Sequence, residues 1–172
     1  SLVRYGNVFG SRGSVLEVFR ARIKKGLPLP LTDIRATRFF MAMREAIALV
    51  LFAIEHGSRG AILVPHLPAC RMEDICLALT EKENIQIIGE RTGEKLAEDL
   101  MTDDEMSRAI WWQDCSVAMV PALFPSWCLE EADVNWCVPS IVGLTPAPPY
   151  RSDVWARRLS VQALRERLAR IP

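Results

Sequence analysis

The sequence predicts a mixed α/β domain, and three observations carry that expectation. Short apolar runs bounded by Gly or Pro alternate with segments whose apolar residues recur at helical spacing across residues 1–100. The 172 residues, 50% hydrophobic and 24% charged, have the composition of one ordinary globular domain. The longest apolar run, residues 46–54, is far shorter than the roughly 18–20 residues that cross a bilayer, so no membrane span is expected.

Residues 2–5 read as a short buried strand running into a Gly-rich loop over residues 6–13, where Gly6, Gly10 and Gly13 free the backbone for tight turns or close approach. Ser14 and Glu17 have the spacing of a capping box. The helix they open carries Val15, Val18, Phe19 and Ile23 on one face and closes at Lys24-Lys25-Gly26. Residues 29–32 form a second strand, a Thr37-Arg38-Phe39-Phe40 segment follows, and residues 44–56 make a strongly apolar helix ended by Gly57. A strand over 61–64 closes at Pro65, and residues 72–79 are helical with Glu73 and Asp74 at the positive end of the helix dipole. Another strand covers 85–88. Residues 110–113 and 117–120 are expected to pair as a hairpin across Asp114. Residues 121–150 are Pro-punctuated and irregular, and Ser160 caps a closing helix through Val161, Leu164, Leu168 and Ile171.

Charge narrows the function classes. Lys+Arg 21 balances Asp+Glu 21, which removes the one-signed field of a typical nucleic-acid binder. The basic residues are mostly Arg, with lysine only at Lys24, Lys25, Lys82 and Lys95, and Arg is the better residue for forked recognition of phosphate or carboxylate. Five cysteines (Cys70, Cys76, Cys115, Cys128, Cys137) include no C-x-x-C pair, and the chain has two histidines. A metal site or disulfide framework is therefore not expected, and reduced, buried thiols in a cytoplasmic protein are. The first residues have no secretory pattern, and the apolar start resembles an entry into the middle of a domain.

Three stretches carry chemistry. Residues 4–15 offer unhindered backbone N–H groups, the Asn7 amide and a helix start, which suits an anion, or else they form only a Gly-rich crossover turn. Residues 32–40 set Arg35, Arg38, Thr32 and Thr37 beside an aromatic pair; the alternative is a solvated edge strand, the reading preferred for Arg35. Residues 89–96 place Arg91 and Glu94 three residues apart around Gly93, as a ligand grip or as a charged turn with a local ion pair.

Read in order, these stretches resemble the C-terminal half of the UDP-N-acetylglucosamine 4,6-dehydratases, extended short-chain dehydrogenase/reductases of bacterial polysaccharide and glycan biosynthesis. That family carries R-Y-G-N-V-x-x-S-R-G-S-V, then L-P-[IL]-T-D-x-x-x-T-R-F-W, then an apolar helix. G-E-I-F-V-P-x-x-P-S-x-[KR]-[IM]-x-D and I-G-x-R-P-G-E-K-L-H-E follow. Here these stand at residues 4–15, 29–40, 60–74 and 88–98, and Tyr150-Arg151-Ser152 resembles the family's closing Tyr-x-Ser.

The resemblance implies a division of the chain into residues 1–13, the last strand and loop of a Rossmann domain; 14–109, a substrate-binding α/β domain; and 110–172, a C-terminal extension. It implies that Asn7 contacts the sugar nucleotide near its phosphates, that Arg38 and Arg91 grip the diphosphate, and that Glu94 accepts hydrogen bonds from the uridine ribose hydroxyls. Gly13, Ser14, Val15 and Thr32 fall where main-chain groups line the uracil and sugar diphosphate, and Tyr5 lies on the strand beside the nicotinamide. Forked guanidinium groups suit a diphosphate and a carboxylate suits vicinal hydroxyls. Thr92 and Ala97 depart from the family's proline and histidine, and Met41 to Arg44 depart from its Ile-Thr-Leu-Glu.

No Gly-x-x-Gly-x-x-Gly and no Tyr-x-x-x-Lys occurs in the chain. NADP is implied for the complete enzyme and is not expected to bind this chain alone. The expected function is thus the UDP-sugar-binding part of a dehydratase, C5-inverting or not, that makes a UDP-4-keto-6-deoxy-N-acetylhexosamine, the isolated chain being inactive. The alternatives are a non-catalytic sugar-nucleotide-binding or assembly module and an epimerase of the same family. Expected partners are UDP-N-acetylglucosamine or a related UDP-sugar and a Rossmann half or a second copy. Without that half, residues 2–5 and 15–25 should expose apolar surface and promote self-association.

Overall fold

The computed structural model describes residues 1–57, 60–89, 92–112, 117–121, 150–154 and 158–171. The elements run in chain order as β1 Leu2–Val3, β2 Asn7–Phe9, α1 Val15–Lys24, β3 Leu29–Leu31, β4 Thr37–Ala42, α2 Met43–His56, β5 Ile62–Pro65 and β6 Ala69–Arg71. There follow α3 Met72–Leu79, a 3-10 turn at Lys82–Asn84, β7 Ile85–Ile87, α4 Asp103–Arg108, β8 Ile110–Trp111, β9 Val117–Val120 and α5 Val161–Leu168. The fold is mixed α/β, and its elements divide into two compact units. Among the described residues no helix is long and apolar enough to cross a membrane.

The first unit takes Ser1–Tyr5, Ile47–His66 and Leu100–Tyr150. Its sheet has the order β1-β5-β9-β8, with β1 parallel to β5 and the other neighbours antiparallel. All four residues of β9 are buried, as expected of a strand covered on both faces. Leu49 and Ala53 of α2 pack with Leu63 of β5 and Val117 of β9. The opposite side of α2 remains apolar and open, with Ile47 55%, Leu51 60% and Ile54 77% exposed. Among the described residues apolar side chains are also exposed at Leu2, Tyr5, Val18 and Ile23, within the stretches 2–5 and 15–25 where the sequence predicts exposure. The β8–β9 pair matches the expected pairing, while residues 113–116 and 122–149, with Cys115, Cys128 and Cys137, lie outside the described residues.

The second unit takes Gly6–Ala46, Leu67–Asp99 and Arg151–Pro172. It holds the sheet β2-β4-β6, with β2 parallel and β6 antiparallel to β4, and the parallel pair β3-β7. One core joins Phe9, Leu16, Phe19, Leu31, Phe40 and Ile75 to Leu164 and Leu168 of α5. Phe9 and Phe40, side by side on paired strands, stack with ring centroids 4.4 Å apart. Cys70 and Cys76 are both free and buried, and burial pushes each thiol up to about 12, so neither is a thiolate at neutral pH.

Three local expectations are corrected. Asn7–Phe9 is a strand rather than loop, because its backbone finds a parallel partner in residues 40–42 of β4. The face that α1 buries is Leu16 and Phe19; Val18 and Ile23 are 48% and 40% exposed. Ser14 does stand at the N-cap of α1, but its hydroxyl makes no capping bond, and Glu17 Oε2 instead accepts from Gly13 N at 2.7 Å. The closing helix behaves as expected, with Ser160 Oγ accepting from Ala163 N at 3.2 Å.

Candidate functional site

The second unit contains a cleft of about 350 Å³, and its walls follow from the strand and helix order. Alternation along β4 sends Thr37 and Phe39 one way, both buried, and Arg38 and Phe40 the other, into the cleft. Phe40 forms apolar floor together with Met72 at the start of α3. Gly13 and Val15 at the entry of α1 make a second wall. Gly13 sits at φ +74°, a left-handed conformation that glycine reaches without strain. Thr32 and Glu94 close the rim.

Gly6 precedes β2, where the chain passes close to β4. A Cβ there would lie 2.6 Å from the Phe39 carbonyl oxygen and 2.8 Å from Phe39 Cβ. Only glycine lets the chain pass so close to β4 as it enters β2.

Polar contacts tie the cleft residues together. Arg38 has 15% of its side chain exposed; its Nη1 donates to Thr37 O at 2.8 Å and to Leu96 O at 3.2 Å. Its Nη2 lies 3.6 Å from Glu94 Oε1 and its Nε 3.4 Å from Glu98 Oε1. Thr32 Oγ1 donates to the same Glu94 oxygen at 2.8 Å. Asn7 Nδ2 donates to Phe39 O at 3.2 Å and to both Glu98 oxygens, at 3.2 and 3.0 Å. One guanidinium thus stands between two carboxylates at distances longer than a close forked pair.

Of the residues singled out in the sequence, Asn7, Gly13, Val15, Thr32, Arg38 and Glu94 line this one cleft. Ser14 lies between two of them, and its Oγ is buried without a hydrogen-bond partner. Arg91 lies outside the described residues. Tyr5 belongs to the first unit and is 45% exposed. Arg35 pairs locally with Asp33 through Nη2 at 2.6 Å, in keeping with a surface role. Glu98 and Ser152, not singled out by the sequence, lie inside the motifs at residues 88–98 and 150–152. Among the described residues no group of His, Cys, Asp or Glu is placed to hold a metal ion.

Chemically, the cleft offers a guanidinium and a helix N-terminus for an anion, a carboxylate and an amide for hydroxyl-bearing groups, and an aromatic floor for an apolar or planar part of a ligand. The sequence holds no glycine cradle for a dinucleotide pyrophosphate, so the residues present do not fit that group.

Similarity to known proteins places this site in a family. The match to the family described as polysaccharide biosynthesis protein covers residues 1–119, and the chain belongs to that family. A protein named UDP-glucose 4-epimerase from Rickettsia rickettsii (strain Sheila Smith) is 43% identical over 112 residues, which are 63% of this chain and 33% of that protein. The protein of the same name from Rickettsia prowazekii (strain Madrid E) matches with the same identity and coverage. Among solved structures, the X-ray structure of Pen from Bacillus thuringiensis superposes with a TM-score of 0.75 at 28% identity, covering 97% of this chain and 48% of that one. The chain therefore spans about a third of the length of these curated relatives and about half of that solved structure.

Proposed function

We propose that this chain forms the sugar-nucleotide-binding part of a UDP-N-acetylglucosamine 4,6-dehydratase acting in polysaccharide or glycan biosynthesis. The observation that carries the reading is the convergence of Asn7, Thr32, Arg38 and Glu94 on one cleft at the entry of α1. In this reading Arg38 exchanges its long contacts to Glu94 and Glu98 for a diphosphate oxygen, with Arg91 as a second fork. The first N–H groups of α1 add further donors. Glu94, steadied by Thr32, accepts from the vicinal hydroxyls of the ribose.

These residues bind and orient; they are not arranged to move hydride. The complete enzyme would take NADP and its acid–base groups from a Rossmann half, and this chain alone is expected to turn over nothing. Epimerisation of a UDP-sugar is the second reading, favoured by the name shared by the Rickettsia relatives. Both reactions need the same grip on UDP. They separate on the product of the complete protein, a 4-keto-6-deoxy sugar in one case and a stereoisomer of the same formula in the other.

The test of the binding reading is calorimetric titration of the chain with UDP-N-acetylglucosamine. Saturable binding is expected, weakened about 10- to 100-fold by Arg38→Ala and by Arg91→Ala, the range for a lost charge-assisted contact. No binding, or Arg38→Ala binding as wild type does, contradicts it.

A further inference from the structure

Glu98 holds two cleft residues at once. Its carboxylate oxygens lie 3.2 and 3.0 Å from Asn7 Nδ2, and Oε1 lies 3.4 Å from Arg38 Nε. Its backbone is fastened to Ser152 on both sides: Glu98 N donates to Ser152 Oγ at 2.9 Å, and Ser152 N donates to Glu98 O at 2.9 Å. Ser152, fully buried, donates in turn to Thr37 O at 3.0 Å and meets Thr37 Oγ1 at 2.9 Å. Glu98 is therefore anchored to β4, the strand that carries Arg38, by main-chain atoms that a side-chain substitution leaves intact.

The consequence falls on Asn7. Its amide nitrogen faces three acceptors, the Phe39 carbonyl and both oxygens of Glu98. An amide has two N–H donors on one side and an acceptor-only oxygen on the other. Turning it over would set Oδ1 against a carboxylate and a carbonyl, so the hydrogen-bond network fixes which way it points. With Nδ2 engaged, Asn7, which is exposed and lines the cleft, has Oδ1 left to offer a ligand. An acceptor does not bind a phosphate oxygen; it binds a donor.

We propose that Glu98 is a positioning residue that sets ligand specificity by fixing Asn7 as a hydrogen-bond acceptor. Asn7 then selects a ligand bearing a donor at that point, a sugar hydroxyl or an acetamido N–H, in place of the phosphate contact that the family resemblance implies. The proposal rests on the UDP-sugar reading above and refines it.

Two measurements test it. The first needs no ligand. In the folded chain the Asn7 side-chain NH2 protons, assigned by NMR through their loss in Asn7→Ala, exchange with water about fivefold more slowly than in Glu98→Ala, and Glu98→Gln, which keeps an acceptor, lies between. The second compares affinities for UDP, UDP-glucose and UDP-N-acetylglucosamine by calorimetry. The readout is the ratio of sugar-nucleotide affinity to UDP affinity, which is insensitive to any change in Arg38 common to all three ligands. That ratio falls about 3- to 10-fold in Asn7→Ala and in Glu98→Ala, the range for one net hydrogen bond, with no further fall in the double variant. A fall for both sugars marks a hydroxyl donor, and a fall for UDP-N-acetylglucosamine alone marks the acetamido group. An unchanged ratio in Glu98→Ala, or NH2 exchange indifferent to Glu98, overturns the proposal. A chain that binds none of the three ligands while the exchange contrast holds overturns the UDP-sugar reading and the specificity role built on it, leaving the Asn7 clamp standing.

Discussion

Two arginines of this chain meet carboxylates, and the difference between them separates architecture from site. In the first unit Arg4 grips Glu105 with both terminal nitrogens, at 2.8 and 3.0 Å, and reaches Leu100 O at 2.7 Å. Glu105 is committed on its other side as well, because it closes the capping box of α4 with Thr102. In the second unit Arg38 stands 3.4 and 3.6 Å from carboxylates that each serve another residue, Thr32 or Asn7. A short fork with saturated partners stabilises its own region. A longer, shared contact in an open cleft is one that an incoming anion can replace.

Substitutions can break that contrast or sharpen it. The largest effect is expected at Gly6, where an added Cβ meets the β4 backbone at Phe39. Gly6→Ala should cost about 3 kcal/mol, near the upper end of overpacking penalties, and lower the thermal midpoint by more than 5 °C. A melting curve within 1–2 °C of wild type would mean that β2 and β4 do not approach as described.

Glu105→Gln should come next, at about 1–2 kcal/mol after allowance for solvent screening, with affinity for UDP unchanged. The hydrogen bond from Arg4 pulls the Glu105 carboxyl from its ordinary value of 4.5 down to about 2. A carboxyl with a depressed folded-state pKa binds its proton more readily when unfolded, so its contribution is complete above about 4.5 and is lost as pH falls toward 2. Denaturant titrations of wild type and Glu105→Gln should thus differ at pH 7 and converge as the pH falls through that window. A constant gap down to pH 2 would remove the ion pair as its source.

The smallest contrast is between two helix entries. Ser160→Ala removes an observed cap and should cost about 1 kcal/mol, whereas Ser14→Ala removes no capping bond and should cost under about 0.5 kcal/mol. Equal losses in denaturant titrations would show that Ser14 caps α1 after all.

Ser14, set beside Thr102, shows how far the sequence could be read. Ser14-x-x-Glu17 and Thr102-x-x-Glu105 carry one signature, yet only the second closes as a capping box, because Glu17 turns to the N–H of Gly13. Helix α3 stands at the expected residues 72–79, since its apolar spacing and acidic first turn are local signals. Strand β6, three residues long, was not expected; its partners in β4, Thr37 to Phe39, lie far earlier in the chain, and nothing local announces that pairing. The cleft residues were legible because each lies in a contiguous stretch of chain, residues 4–15, 29–40 or 88–98, even where that stretch crosses from one element to the next. Glu98 ends the third of these stretches, but its role was not legible there, because that role lies in contacts to Asn7, 91 positions away, and to Arg38 of β4, which only the fold brings beside it.

The central claim, that the Arg38 cleft is the anion site and the Arg4 pair is not, is tested most directly by measuring UDP affinity in Arg38→Ala and Glu105→Gln beside wild type. The account predicts a loss of about 10-fold or more in Arg38→Ala and a value within twofold of wild type in Glu105→Gln above pH 6. Equal losses in both variants, or none in Arg38→Ala, would contradict it.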